Sequence, residues 1–160
     1  ARFKYFLSGA LNLPVSDLQA TVIGGHGDTT MIPLTRMASY QSTPVSNYLS
    51  AEKLAEVKSA TMVGGATLTG LLGTSAWYAP GAAGAVLTAS IVRDQKKIFP
   101  CSVYLEGEYG ESDICMGVPV VVGANGWESI VDYRLNEEEA AEFAKSAAAV
   151  RAMNVVLDSL

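Results

Sequence analysis

One short segment of the sequence concentrates the residues that could do acid–base chemistry. His26 is the only histidine in the 160-residue sequence, and it lies in the run Gly24-Gly25-His26-Gly27-Asp28-Thr29. Because an imidazole has an unperturbed pKa of about 6.5, it can take up or release a proton near neutral pH. Glycines on both sides leave room for a ligand or another part of the chain to approach closely. The segment therefore predicts a general acid/base at His26, with a structural hydrogen bond in a tight turn as the alternative.

Other candidate ligands are sparse. Asp28 could pair with Arg36, cap the turn, or join His26 at a metal ion, but the sequence offers no evident third ligand. Cys101 and Cys115 with one histidine make a poor zinc set, and two cysteines cannot form a disulfide framework. A hairpin could bring the two thiols together, but free thiols in a reducing compartment are the expectation. We therefore treat Asp28 as structural and predict no metal site.

Short apolar runs should form the strands that hold the histidine loop. The strand candidates are residues 18–23, 30–34, 98–106, 114–122 and 127–131. The first two flank the loop, and Asn125-Gly126 is a strong hairpin signal between the last two. Strands followed by helices, without alternation of single strands and helices, indicate an α+β fold with an antiparallel sheet.

Helical spacing and end signals predict the helices. The candidates are residues 2–12, ended by Pro14, a long helix with Ser50 as N-cap, a helical stretch at 74–92, and a last helix opened by a capping box of Asn136 and Glu139. Gly64-Gly65 lies inside the long helix, where each glycine costs about 1 kcal/mol against alanine. A kink or a close backbone contact would justify that cost, and a plain helix break is the alternative. Pro80 should kink or delimit the third helix.

Composition places the chain among single-domain globular proteins. The length of 160 residues suits one domain, spanning 1–160, that buries a substantial core. Its net charge of −5 and its pI near 4.8 argue against nucleic acid and anionic membranes as partners. No apolar run reaches the ~18 residues of a membrane-spanning helix. The hydrophobic content of 49% fits a domain that another domain or subunit covers.

The histidine segment, continued by Met31-Ile32-Pro33-Leu34, resembles the active-site segment of the malate and lactate dehydrogenase family, and of its malate dehydrogenases in particular. Three further segments are similar to parts of that family, in order along the chain: Ala1-Arg2-Phe3-Lys4-Tyr5-Phe6-Leu7, Ser75-Ala76-Trp77-Tyr78-Ala79-Pro80, and Tyr109-Gly110-Glu111-Ser112-Asp113 with Gly117-Val118-Pro119-Val120. The resemblance thus extends over nearly the whole chain.

The resemblance implies a function and a set of residues. It implies an oxidoreductase that interconverts malate and oxaloacetate with NAD, a reaction of the tricarboxylic acid cycle. His26 would exchange a proton with the substrate oxygen, and Arg2 would bind the substrate carboxylate. Ser75 and Ala76 would form a wall of the substrate pocket. The implied fold is the C-terminal domain of the family, an antiparallel sheet with long packed helices.

The resemblance also implies a second domain. No G-x-G-x-x-G motif follows a strand in this sequence, so we expect an N-terminal dinucleotide-binding domain, absent from this chain, to bind NAD. No cofactor-binding residue is assigned here, and the isolated chain is expected to be inactive. We also expect a cytoplasmic homo-oligomer. The alternatives are a lactate or other 2-hydroxyacid dehydrogenase domain, and a non-catalytic oligomerisation module with the same fold.

Overall fold

Antiparallel strands and four α-helices are the main elements of residues 1–157, the part of the chain that the computed structural model describes. The helices are α1 (Arg2–Leu11), α2 (Ala51–Leu72), α3 (Tyr78–Val92) and α4 (Glu137–Leu157). The strands are β1 (Leu18–Gln19), β2 (Val22–Gly24), β3 (Met31–Pro33), β4 (Ser39–Tyr40), β5 (Thr43–Pro44), β6 (Lys97–Glu106), β7 (Ser112–Gly123) and β8 (Gly126–Ile130). The predicted α+β class is confirmed, and residues 158–160 of the predicted domain lie outside the described part.

The strands form two sheets within residues 1–157. The larger has the order β3-β2-β7-β6 with β8 also paired to β7, and the smaller has the order β1-β4-β5. The single strand predicted at 18–23 was wrong, because its two ends pair with different partners. Leu18 lies opposite Tyr40 in the small sheet, whereas Val22 lies opposite Pro33 in the large one. The predicted last hairpin is confirmed, with Gly123 paired to Gly126.

Two hydrophobic clusters hold these layers together. The larger lies between the main sheet and α4, and it contains Ile23, Ile32, Met116, Val118 and Phe143. The smaller joins α1, α2 and the small sheet, and it contains Phe3, Leu7, Leu18, Ala38, Val45 and Val57. Burial of such apolar side chains contributes most of the stabilisation of a fold of this size. The two strands that flank the histidine loop, β2 and β3, thus both belong to the larger sheet, and each buries an isoleucine in the larger cluster.

Local signals at the helix ends are mostly confirmed. The Ser50 side chain caps α2 by accepting a hydrogen bond from the Lys53 amide at 3.3 Å. The α1 helix ends at Leu11, before Pro14, because Asn12 adopts a left-handed conformation with φ 55°. Pro80 delimits α3 rather than kinking it, since it lies in the first turn, where amide groups lack helical partners.

The capping box at the start of α4 is also confirmed. The Asn136 amide donates to Glu139 Oε2 at 3.0 Å, and the Glu139 amide donates to Asn136 Oδ1 at 2.8 Å. Arg36 also donates to Glu139, with Nη2 at 2.7 Å from Oε2. The suggested Asp28–Arg36 pair is therefore wrong: the guanidinium is engaged by a carboxylate at the start of α4. None of the helices in residues 1–157 combines the length and the hydropathy needed to cross a membrane.

Candidate active site

The histidine loop is a tight turn that closes on itself between β2 and β3. The Gly25 amide donates to the Thr30 carbonyl at 3.1 Å, and the Thr30 and Met31 amides both donate to the Gly27 carbonyl, at 3.0 and 3.1 Å. The Gly27 amide donates to Thr30 Oγ1 at 2.8 Å. These bonds leave the exposed His26 side chain at the tip of a constrained turn.

Glycine is required where the loop leaves β2. Gly24 has φ +92°, and a Cβ there would lie 2.5 Å from the Thr30 carbonyl oxygen. A Cβ at Gly117, on the neighbouring β7, would lie 2.7 Å from the Gly24 carbonyl oxygen. Both distances are far inside van der Waals contact, so any side chain at these positions would move the backbone that carries His26.

The second predicted residue, Arg2, lies at the start of α1 and packs against α2. Its Nη1 donates to the Met62 carbonyl at 3.4 Å, and its Nη2 donates to Met31 Sδ at 3.4 Å. A Cβ on Gly65 would lie only 2.7 Å from Nη1, and one on Gly64 would lie 3.2 Å from the Phe6 ring. The glycine pair therefore marks a close contact between two helices. The predicted close contact is confirmed, and the alternative of a helix break is excluded because α2 continues through both residues.

Arg2 and His26 line the same cavity, which has a volume of about 420 Å³. Its walls come from α1, the β2–β3 region, α2, strands β6 and β7, and α4. The lining residues are Ala1, Arg2, Phe3, Val22, Ile23, Gly24, Gly25, His26, Met31, Thr61, Pro100, Cys101, Ser102, Cys115, Gly117 and Val150. The structure thus brings together the two residues on which the predicted chemistry depends.

The charges around this cavity favour an anion. Arg2 supplies a permanent cation, and His26 supplies a group that can carry a proton. No carboxylate is among the described residues that line the cavity. A guanidinium presents parallel N–H donors that match a carboxylate, so the arrangement suits a small carboxylic acid whose reacting oxygen faces an imidazole.

Ser75 and Ala76 are not among the lining residues of this cavity. They lie in the turn between α2 and α3, just after the left-handed cap Gly73, with Ser75 exposed and Ala76 half-buried. Their role in a substrate pocket stays a prediction.

The two cysteines lie on neighbouring strands but are not paired. Cys101 is opposite Val118, and Cys115 is opposite Tyr104, so the alternation of side chains places the two thiols on opposite faces of the sheet. Burial raises the pKa of the Cys101 thiol. Within residues 1–157, no group of three histidine, cysteine, aspartate or glutamate side chains is placed to hold a metal ion.

Sequence reasoning missed the part that β6, β7 and α4 play in this site. Pro100, Ser102 and Gly117 form one wall of the cavity, and buried Ser146 of α4 contacts both ends of the histidine loop. One signal was present for Ser146. It lies on the apolar stripe of α4 between Phe143 and Val150, where a polar side chain needs a specific hydrogen-bond partner.

Comparison with known proteins adds an independent line of evidence. The family described as lactate/malate dehydrogenase, alpha/beta C-terminal domain, matches residues 1–154. A malate dehydrogenase of Bacteroides thetaiotaomicron is 66% identical over 157 residues, which are 98% of this chain and 50% of that protein. The chain spans about half the length of the curated relatives it matches.

Solved structures are similar over the same extent. A malate dehydrogenase from Salinibacter ruber superposes with a TM-score of 0.95 at 41% identity, over 99% of this chain and 52% of that one. A lactate dehydrogenase from Eimeria maxima, solved with NADH and oxamate, superposes with a TM-score of 0.93 at 30% identity, over 99% of this chain and 51% of that one.

Proposed function

Because the chain belongs to the lactate/malate dehydrogenase family, we propose that it forms the substrate-side domain of an NAD-dependent malate dehydrogenase. The proposed reaction interconverts malate and oxaloacetate. The observation that carries the proposal is the shared cavity of Arg2 and His26, which has no carboxylate among its described lining residues. The greater identity to malate dehydrogenases than to the lactate dehydrogenase supports malate over lactate as substrate.

Arg2 is proposed to bind and orient the substrate. Its guanidinium forms two parallel hydrogen bonds with the C1 carboxylate of malate, a geometry that lysine cannot supply. Contacts with Met62, Met31 and Gly65 hold the guanidinium in one place before the substrate arrives. The bound carboxylate then fixes the direction of the C2 hydroxyl, which points toward His26.

His26 is proposed to move the proton. As the C2–H bond gives up a hydride, the C2 hydroxyl O–H bond breaks, the C2–O bond becomes a carbonyl, and the imidazole takes the proton. In the reverse direction the imidazolium returns that proton to the carbonyl oxygen. Proton transfer by a placed side chain typically contributes about 10²–10⁴-fold to the rate. When bound, NAD supplies the hydride acceptor.

The nicotinamide is proposed to enter from outside this chain. His26 lines the cavity and is exposed, which leaves the imidazole accessible from outside. The sequence contains no glycine-rich phosphate loop between a strand and a helix. We therefore assign NAD binding to an N-terminal dinucleotide-binding domain, and none to residues of this chain. The match to only about half the length of the relatives supports this division.

Ser75 and Ala76 are proposed to complete the substrate pocket from the turn after α2. Their small side chains leave room for a dicarboxylate. The turn that carries them follows α2, the helix in which Gly65 lies against Arg2.

A homo-oligomer, a cytoplasmic location and a step of the tricarboxylic acid cycle complete the proposal. Exposed apolar side chains on α2 and α3, including Leu71, Tyr78 and Val92, support coverage of these helices by another subunit or domain. The two unpaired thiols support a reducing compartment.

The test uses the protein in which this domain is joined to its nucleotide-binding domain. NADH oxidation should be rapid with oxaloacetate and much slower with pyruvate. His26→Asn should abolish turnover while NADH binding, followed by fluorescence, is retained. Asp28→Asn, in the same loop, is the matched control and should keep most of the activity. Substantial turnover by His26→Asn would remove the proton-transfer role, and a wild-type protein without turnover would favour the oligomerisation module.

A further inference from the structure

A buried serine of α4 connects both ends of the histidine loop to the protein core. Ser146 is only 3% exposed. Its Oγ accepts a hydrogen bond from the Gly25 amide at 2.9 Å and donates one to the Thr30 carbonyl at 2.7 Å. A hydroxyl can donate and accept at the same time, so this one side chain pairs with a main-chain group at each end of the histidine loop. Residues Gly24, Gly25 and Thr30, where the loop leaves β2 and joins β3, are called the loop neck below.

Ser146 differs from the other polar contacts of the loop. The bonds among Gly25, Gly27 and Thr30 determine the shape of the turn, but they are internal to it. The bonds from Ser146 come from a helix more than one hundred residues away in sequence. They therefore fix the turn, with His26 at its tip, to α4, in addition to its attachment to the main sheet through β2 and β3.

The glycines of the loop neck are what let α4 approach so closely. A Cβ on Gly24 would lie 2.9 Å from Ser146 Oγ, and a Cβ on Gly25 would lie 3.1 Å from a methyl group of Val150. Val150 is itself a lining residue of the cavity. The same face of α4 thus contacts the loop neck through Ser146 and the cavity through Val150.

We propose that Ser146 is a positioning residue for His26, an inference that rests on the proposed function. By holding Gly25 and Thr30 together, it keeps the imidazole aligned with the substrate oxygen. Ser146 does not touch the cavity, so it acts on catalysis only through the loop. Arg2 donates its hydrogen bonds to Met62 and Met31 and not to Ser146, so binding of the substrate carboxylate does not depend directly on Ser146.

The inference predicts a separation of kcat from KM. In the complete enzyme, Ser146→Ala should lower kcat by about 10-fold to 100-fold, since a misplacement near 1 Å can cost that much. KM for oxaloacetate should stay within about twofold of the wild-type value, because Arg2 is untouched. Ser146→Cys, which is slightly larger and offers only a weak donor and acceptor, should give an intermediate kcat.

Ser90→Ala is the matched control. Ser90 is also fully buried on a helix, and its Oγ donates to a main-chain carbonyl, that of Val122, at 2.9 Å. It does not contact the histidine loop. Ser90→Ala should lower the thermal stability by an amount similar to Ser146→Ala, yet keep kcat within about twofold of wild type.

The outcomes separate this inference from the proposed function. Wild-type turnover with a kcat for Ser146→Ala equal to that of Ser90→Ala would refute the positioning role alone, as would equal rises in KM for both variants. If Ser146→Ala does not fold, a kcat for Ser146→Cys equal to wild type would refute it. A wild-type enzyme without turnover would refute the proposed function and this inference with it.

Discussion

Replacing Gly65 with alanine should weaken substrate binding without weakening the fold. The added Cβ would lie 2.7 Å from Arg2 Nη1, whereas ordinary contact begins at 3.4 Å. The guanidinium must therefore retreat by about 0.7 Å, and the 3.4 Å hydrogen bond from Nη1 to Met62 is lost. Because the clashing atom is the end of a flexible side chain, the backbone has no need to move.

Gly65→Ala should have two effects, one on the stability of the helix and one on binding of the substrate. Removing a glycine from a helix interior contributes up to about 1 kcal/mol of stability, so the free energy of unfolding should rise or stay unchanged. A two-point hydrogen bond to a carboxylate depends strongly on its direction, and displacement of that order can cost about 10-fold to 100-fold. We expect KM for oxaloacetate to rise by that factor, which corresponds to about 1.4–2.7 kcal/mol of binding free energy.

The assay compares two alanines in the same helix. A Cβ on Gly70, also within α2, would have no atom within 4 Å, so Gly70→Ala should gain the same helical stability without touching Arg2. Steady-state kinetics of the complete enzyme give KM for each variant, and urea unfolding gives the stability. An unchanged KM for Gly65→Ala, or an equal change for Gly70→Ala, would refute the claim that the Arg2 guanidinium needs the space left by the missing side chain of Gly65.

Three further perturbations have expected outcomes. Gly117→Ala should destabilise the fold by about 1–3 kcal/mol, because its Cβ would meet rigid backbone at Gly24, and urea unfolding with no loss would contradict this. Burial acts to raise the pKa of Glu139, but hydrogen bonds from Arg36 and the Asn136 amide outweigh it and lower that pKa. The resulting stability is present above the unfolded pKa of about 4.3 and is lost as the pH falls through the lower folded pKa. Glu139→Gln should therefore lower the free energy of unfolding by about 1 kcal/mol at pH 7 and leave it unchanged in acid. Thermal melts of both proteins across this pH range measure the difference. Purified chain 1–160 should not oxidise NADH with oxaloacetate, since no residue of it is assigned to NAD, and turnover above background would overturn that assignment.

The sequence by itself determined the features that depend on near neighbours. Ser50 predicts the start of α2, and Asn136 with Glu139 predicts the start of α4, because a cap is a contact between residues three apart. Asn125-Gly126 predicts the last hairpin for the same reason. The glycine-flanked segment indicated His26 and the resemblance to a family added Arg2, and the structure places both residues on one cavity.

Tertiary structure decided the features whose partners are far away in sequence. Arg36 pairs with Glu139, 103 residues away, and not with nearby Asp28. Gly64 and Gly65 of α2 are explained only by Phe6 and Arg2 of α1, some 60 residues earlier. The loop of His26 is held by Ser146, about 120 residues later. Helix caps and turns are short-range hydrogen bonds that a few neighbouring residues specify. The position of the histidine loop depends instead on side chains that meet only when the sheet and helices have packed, so its determinants are spread over the whole chain.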